Sequence, residues 1–147
     1  MAARRTADVV WDGDLMSGSG VVSAITSGAF ADLPVTWGSR TASADGRTSP
    51  EELEASAHAS CFAMALSAGL GGRGTPPERM EVSATVTFDE VDGGWKVVSS
   101  ESTVRGKVPG LDEAGFREAA EGAKDGCPIS QALKGNVRLS VETSLDT

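Results

Sequence analysis

The chain has 147 residues, of which 39% are hydrophobic and 23% charged, a composition typical of one globular domain spanning residues 1–147. Its 13 basic side chains are outnumbered by 21 acidic ones, and the net charge of −8 argues against a nucleic-acid partner, because an acidic surface repels phosphate. No apolar run approaches the ~20 residues of a membrane span, and the N-terminal residues lack the apolar segment of a secretory signal, which predicts a cytoplasmic protein without membrane contact.

The first third of the chain is predicted to form short strands. Residues 6–11 and 20–26 have strand patterns, and a third strand is predicted over residues 35–41. Between the first two strands the WDGD segment turns the chain. The polar stretch 43–49 is expected to be a loop that leads into a helix.

The clearest predicted element is the helix after this loop. Ser49 is a suitable N-cap, Pro50 suits the first helical position, and Glu52 completes a Ser-x-x-Glu capping box. Two apolar rows run along the helix, formed by Leu53, Ala57, Cys61, Met64 and Ala68 and by Ala55, Ala59, Phe62, Leu66 and Leu70. Apolar residues on two faces predict a central helix that is buried on most sides.

The second half of the chain alternates strands and helices. A half-buried strand over residues 80–88 is followed by an Asp-Gly-Gly hairpin signal and a returning strand over 95–106. Helices are predicted over residues 113–124 and from Pro128 to near Gly135, and a last strand carries apolar residues from 137 to 145. This order predicts an α+β fold built from antiparallel strands with few helices.

The two cysteines, Cys61 and Cys127, are 66 residues apart, so they do not form a local CxxC dithiol. In a chain without a signal peptide they are either two inert buried thiols or one reversible redox pair. Burial in mid-helix raises the pKa of a thiol, so Cys61 would need a nearby cation to react. Cys127 precedes Pro128 at a predicted helix N-terminus, where free N–H groups would stabilise a thiolate; the alternative is a small capping residue.

Two arginines in the approach to the helix are candidates for that cation. Arg40 stands at the end of the third predicted strand, whereas Arg47 lies in the polar loop and is expected to be solvated. Glu51 is the preferred counter-charge for the arginine, although it could instead complement the helix dipole. About 15 Å of helical rise separates Glu51 from Cys61, so an arginine could link them only by lying between them or by arriving from a second subunit.

His58 lies one helical turn before Cys61, and three interpretations are open. A Cys–His nucleophile would need an orienting third group and an oxyanion hole, and neither has a recognisable pattern. One His and two Cys give three soft ligands without paired spacing, where structural zinc usually takes four. We therefore expect His58 to be a polar helix position that touches solvent or an interface.

Four segments give the chain a resemblance to the OsmC/Ohr family of peroxiredoxin-like proteins. They are the WDGD…GSG turn, the SPEEL…AHASCFAMAL helix, the VDGGW hairpin and the KDGCPISQALKGNV segment. The resemblance implies an OsmC-like α+β fold in which an antiparallel sheet surrounds a central cysteine-bearing helix. It also implies an intertwined homodimer with active sites at the subunit interface.

The resemblance also implies roles for individual residues. Cys61 would be the peroxidatic cysteine and Cys127 the resolving one, and Glu51 matches the family's Pro-Glu position. In the Ohr branch the arginine lies in an early glycine-rich turn, which here reads MSGSG, whereas the WGSR segment ending at Arg40 matches the OsmC branch. The chain therefore resembles the OsmC branch, with Arg40 as its arginine and Arg47 as the alternative.

The implied activity is a thiol-dependent peroxidase that acts on organic hydroperoxides and more weakly on hydrogen peroxide. Cys61 would become a sulfenic acid and then a Cys61–Cys127 disulfide, which a dithiol reductant, with a lipoyl-type dithiol as one candidate, must reopen. No metal or organic cofactor is required. The alternatives are a non-catalytic protein that binds a small ligand in the same interface cavity, and a metal-dependent hydrolase that uses His58 and the cysteines.

Overall fold

A computed structural model describes residues 1–147, and the chain divides into two compact units, Met1–Leu53 and Glu54–Thr147. The first unit contains a three-stranded antiparallel sheet in the order β1-β2-β3. Its strands and the short helix that follows them are β1 (Ala7–Asp12), β2 (Ser19–Ile25), β3 (Leu33–Val35) and α1 (Trp37–Thr41). Every residue of β1 is exposed in the single chain, whereas Val22 of β2 is buried.

The expected strand over residues 35–41 is wrong beyond Val35, because a capping box starts a helix there. The Thr36 hydroxyl accepts a hydrogen bond from the Ser39 N–H at 3.0 Å, and the Ser39 hydroxyl accepts one from the Thr36 N–H at 3.0 Å. This reciprocal pair satisfies free N–H groups at the helix start and favours a helical turn over a strand. Arg40 consequently lies in the last turn of α1.

The second unit combines a sheet with helices. The remaining elements of the chain are α2 (Pro50–Gly72, which begins in the first unit), β4 (Arg79–Val91), β5 (Gly94–Lys107), α3 (Glu113–Gly126), α4 (Pro128–Leu133) and β6 (Arg138–Asp146). The strands β4 and β5 form the predicted antiparallel hairpin, but β6 pairs with β5 in parallel. The predicted α+β class is confirmed, but the expectation of an antiparallel sheet is wrong for β6, because α3 and α4 form the long crossover that joins parallel neighbours. None of the helices is long and apolar enough to cross a membrane.

The core of the second unit lies between one face of α2, the sheet and α3. Its buried members are Phe62, Leu66, Leu70, Val104, Val108, Phe116, Ala119, Ala120 and Ala123. Strand β5 and helix α3 pack tightly at Gly106, where an added Cβ would lie 2.5 Å from Cζ of Phe116. Only glycine fits under the Phe116 ring, so this contact fixes α3 against the sheet.

The expectation that α2 is buried on most sides is wrong for the single chain. Its buried side chains in the second unit, His58, Phe62, Leu66 and Leu70, recur every four residues and form one face. On another face Met64 is 69% exposed. The reason is that the sheet and α3 cover only one face of the helix.

Candidate active site

The two cysteines meet within the second unit. Their Sγ atoms are 2.8 Å apart, within hydrogen-bonding distance, and both thiols are free. Cys61 is partly buried in the middle of α2, whereas Cys127 is completely buried. Cys127 is the N-cap of α4 with Pro128 in its first turn, as the Cys-Pro sequence predicts. The fold therefore closes the 66-residue separation within one chain.

The surroundings of the two sulfur atoms shift their acidities in opposite directions. Burial raises the pKa of Cys61, and the neighbouring Cys127 raises it further. Burial also acts to raise the pKa of Cys127, but hydrogen bonding from Cys61, from the N–H and hydroxyl of Ser130 and from the Ile129 N–H outweighs it, so the pKa is lowered. Donors that stabilise the charged form of a thiol lower its pKa, which is the direction found for Cys127.

Arg40 and Glu51 form a tight ion pair in the first unit. The Arg40 Nε lies 3.0 and 3.1 Å from the two Glu51 carboxylate oxygens, and its Nη2 lies 2.7 Å from Oε1. Glu51 is buried, and the Arg40 guanidinium lies 6.0 Å from the centroid of the Trp37 ring. Glu51 therefore does more than complement the helix dipole. Of the two candidate arginines, Arg40 is the one that pairs with Glu51, whereas Arg47 is exposed in the loop.

The start of α2 leaves Glu51 available for this pair. The Ser49 hydroxyl accepts a hydrogen bond from the Glu52 N–H at 3.1 Å, as the capping box predicts. The Glu52 carboxylate accepts one from the buried Thr48 hydroxyl at 2.9 Å. The predicted site residues thus form two pairs, Arg40 with Glu51 and the two cysteines with each other.

A family model described as "OsmC-like protein" matches residues 43–142. The chain belongs to the OsmC-like family. It is 37% identical over 142 residues to the Peroxiredoxin OsmC of Escherichia coli (strain K12), covering 97% of this chain and 98% of that protein. It is 31% identical over 101 residues to the organic hydroperoxide resistance protein of Xanthomonas axonopodis pv. citri (strain 306), covering 68% of each.

Solved structures show the same OsmC-like fold. The organic hydroperoxide resistance protein OhrB of Bacillus subtilis matches with a TM-score of 0.71 and 26% identity, over 95% of this chain and 98% of that one. An organic hydroperoxide resistance protein from Elizabethkingia anophelis matches with a TM-score of 0.75 and 22% identity, over 99% of this chain and 100% of that one. The resemblance and fold expected from the sequence are confirmed, and the nearly full-length match to the OsmC protein supports that branch.

His58 of this OsmC-like chain is not the solvent-touching residue that the sequence suggested. Its side chain is 1% exposed, with Nδ1 2.6 Å from the Ser100 hydroxyl and Nε2 2.8 Å from the Ser130 hydroxyl. The burial of His58 could have been predicted from its position four residues before Phe62, because that spacing places both side chains on the same face of the helix. No group of three or more His, Cys, Asp or Glu side chains is arranged to hold a metal ion.

Proposed function

We propose that this chain is a thiol-dependent peroxidase that reduces organic hydroperoxides and, more weakly, hydrogen peroxide. The observation that carries the proposal is the pair of free thiols 2.8 Å apart in one chain, one partly exposed and the other buried. The relatives named Peroxiredoxin OsmC and organic hydroperoxide resistance protein support the same activity.

The exposure of the two thiols supports Cys61 as the cysteine that meets the peroxide. Cys61 is partly accessible, whereas Cys127 is 0% exposed, and we therefore assign the peroxidatic role to Cys61. The Cys61 thiolate attacks the terminal oxygen of the hydroperoxide, the O–O bond breaks, and the alkoxide takes up a proton and leaves as the alcohol. A sulfenic acid remains on Cys61.

Cys127 then resolves the sulfenic acid. Its thiolate attacks the Cys61 sulfur, the S–O bond breaks, and the departing hydroxide takes up a proton to become water. The product is an intramolecular disulfide. An external dithiol must reduce it to restore both thiols, and a vicinal dithiol of the lipoyl type has the chemistry to do so by exchange.

The peroxidatic step needs a cation, because burial and Cys127 both raise the pKa of Cys61. We assign this role to Arg40, with Glu51 orienting its guanidinium, since their pairing gives the arginine one fixed direction. The proposal includes an intertwined homodimer, in which either subunit could supply the Arg40–Glu51 pair. It also includes a single domain over residues 1–147 and a cytoplasmic location.

Single-turnover oxidation tests the assignment of the two thiols. Cys61→Ser should abolish consumption of cumene hydroperoxide even in the first turnover. Cys127→Ser should consume one equivalent quickly and then overoxidise, because no thiol traps the sulfenic acid. Equal loss of the first turnover in both variants would refute the assignment. Wild-type protein that consumes no peroxide in the presence of a dithiol would favour the alternative of a non-catalytic ligand-binding protein.

A further inference from the structure

A buried histidine links three elements of the second unit beside the thiol pair. His58 belongs to α2, one turn before Cys61, and contacts Ser100 of β5 through Nδ1 at 2.6 Å and Ser130 of α4 through Nε2 at 2.8 Å. His58, Ser100 and Ser130 are each no more than 1% exposed. Their hydrogen bonds are therefore made to one another without competition from bulk water.

The number of hydrogen atoms shared by Ser100, His58 and Ser130 restricts which group donates and which accepts in each of their hydrogen bonds. Burial lowers the pKa of His58, so the imidazole is neutral near neutral pH and carries one proton. Each serine hydroxyl has a single hydrogen and can rotate to donate or to accept. If Nε2 carries the proton, it donates to the Ser130 oxygen, and the Ser130 hydrogen is free for another acceptor.

The candidate acceptor for this hydrogen is Cys127, because Cys127 is the N-cap of α4 and Ser130 lies in the first turn of the same helix. Ser130 is the third residue of α4, and its hydroxyl is among the groups that lower the pKa of Cys127. A hydroxyl whose oxygen is already engaged by Nε2–H is oriented to donate to a thiolate. The Ser100 hydroxyl can in turn donate to Nδ1 and so hold the proton on Nε2.

We propose that His58 is a positioning residue for Cys127: its Nε2–H engages the Ser130 oxygen and so turns the Ser130 hydroxyl hydrogen towards the Cys127 sulfur at the start of α4. The directed chain runs from Ser100 through His58 and Ser130 to Cys127. It acts in the step that joins Cys127 to the Cys61 sulfenic acid, since that step needs the thiolate of Cys127. This role rests on the proposed function, whereas the hydrogen-bonded chain itself does not.

The nearby charges offer no substitute for this chain. The charged residues closest to Cys127 in sequence are Lys124 and Asp125 at the end of α3. The Lys124 ammonium lies 2.7 Å from the Glu121 carboxylate and 3.9 Å from that of Asp125, so acidic groups already neutralise it. Apart from the Cys61 thiol, the donors that act on Cys127 are those of α4.

The test follows ionisation of the Cys127 thiol by the ultraviolet absorbance of the thiolate in a Cys61→Ser background. This measurement needs no peroxide, so it remains valid if the proposed function fails. At a pH below the midpoint of the titration, Ser130→Ala should reduce the fraction of Cys127 present as thiolate about tenfold. This corresponds to about 1.4 kcal/mol, as expected for the loss of a hydrogen bond to a charged group. His58→Phe should reproduce much of this loss, whereas His58→Gln, which keeps an N–H donor, should restore it. The matched control is Ser102→Ala. Ser102 is also a buried serine of β5, 2% exposed, but it does not belong to the hydrogen-bonded series Ser100–His58–Ser130.

Two results would overturn the proposal. One is a titration curve unchanged by both Ser130→Ala and His58→Phe. The other is an equal effect of Ser102→Ala, which would mean that any loosened core position alters the thiol. Ser130→Ala removes a single oxygen atom, so it provides the test even if His58→Phe does not fold. With wild-type Cys61, Ser130→Ala should slow disulfide formation after one equivalent of hydroperoxide while leaving sulfenic acid formation unchanged.

Discussion

Replacing Arg40 by Met separates the stabilising role of its ion pair from its proposed chemical role. The Arg40 side chain is 29% exposed and that of Glu51 is 9% exposed, so the pair is intermediate between a surface pair and a buried one. Removing one partner costs about 0–1 kcal/mol at the surface and about 3–5 kcal/mol in the interior, and we expect about 2 kcal/mol here. For a chain of this size that lowers the melting temperature by about 4–8 °C.

The second variant, Arg40→Met with Glu51→Gln, removes the buried charge that the first variant leaves unpaired. A neutral amide costs less to bury than an unpaired carboxylate, so the double variant should recover about 1 kcal/mol of the loss. Peroxidase turnover should stay low in both variants, because neither restores the cation. Arg47→Met carries the same charge change at an exposed position and should leave stability and turnover near wild type.

The assays are urea unfolding and peroxide consumption with saturating dithiol. Recovery of turnover together with stability in the double variant would show that Arg40 acts only on the fold. A loss in Arg47→Met as large as that in Arg40→Met would refute the choice of arginine. Strictly additive stability effects of the Arg40 and Glu51 substitutions would contradict their coupling.

Three further predictions concern assembly, packing and pH. Peroxide-treated protein should elute as a dimer on sizing but run as a monomer on a non-reducing denaturing gel, and a covalent dimer on that gel would refute the intrachain disulfide. Phe116→Ala should cost about 3–5 kcal/mol in urea unfolding. Gly106→Ala should cost about 1–3 kcal/mol alone but little in the Phe116→Ala background, and equal costs in both would contradict the contact. Because the pKa of His58 is lowered by folding, its contribution to stability is fully present above the ordinary imidazole value of 6.5 and is lost as pH falls below that value towards the lowered pKa of the folded chain. His58→Gln should therefore lose less stability than wild type between about pH 7 and about pH 5.

Local signals in the sequence predicted several elements well. Ser49, Pro50 and Glu52 marked the start of the long helix, and its first residue in the structure is Pro50. The alternating segments around Asp92 predicted the β4–β5 hairpin because the turn and both strands are adjacent in sequence. The Gly-Cys-Pro sequence placed Cys127 at a helix start. Each of these features depends on neighbours only a few residues away.

Features that depend on distant partners were not predictable in this way. The parallel pairing of β5 with β6 is decided by how the crossover packs on the sheet. The burial of His58 depends on Ser100 and Ser130, which are 42 and 72 residues away in sequence. As a polar residue of the helix, His58 was therefore expected to touch solvent or an interface, although its spacing of four residues from Phe62 places it on the buried face.

The order of the elements has a consequence for biosynthesis. Cys61 is translated 66 residues before Cys127, which takes about 3–13 s at typical rates of chain synthesis. The helix α4, whose N-cap is Cys127, lies in sequence between α3 and β6. During that interval the resolving partner proposed for Cys61 does not yet exist, so a sulfenic acid formed on the nascent Cys61 cannot be trapped as the proposed intrachain disulfide.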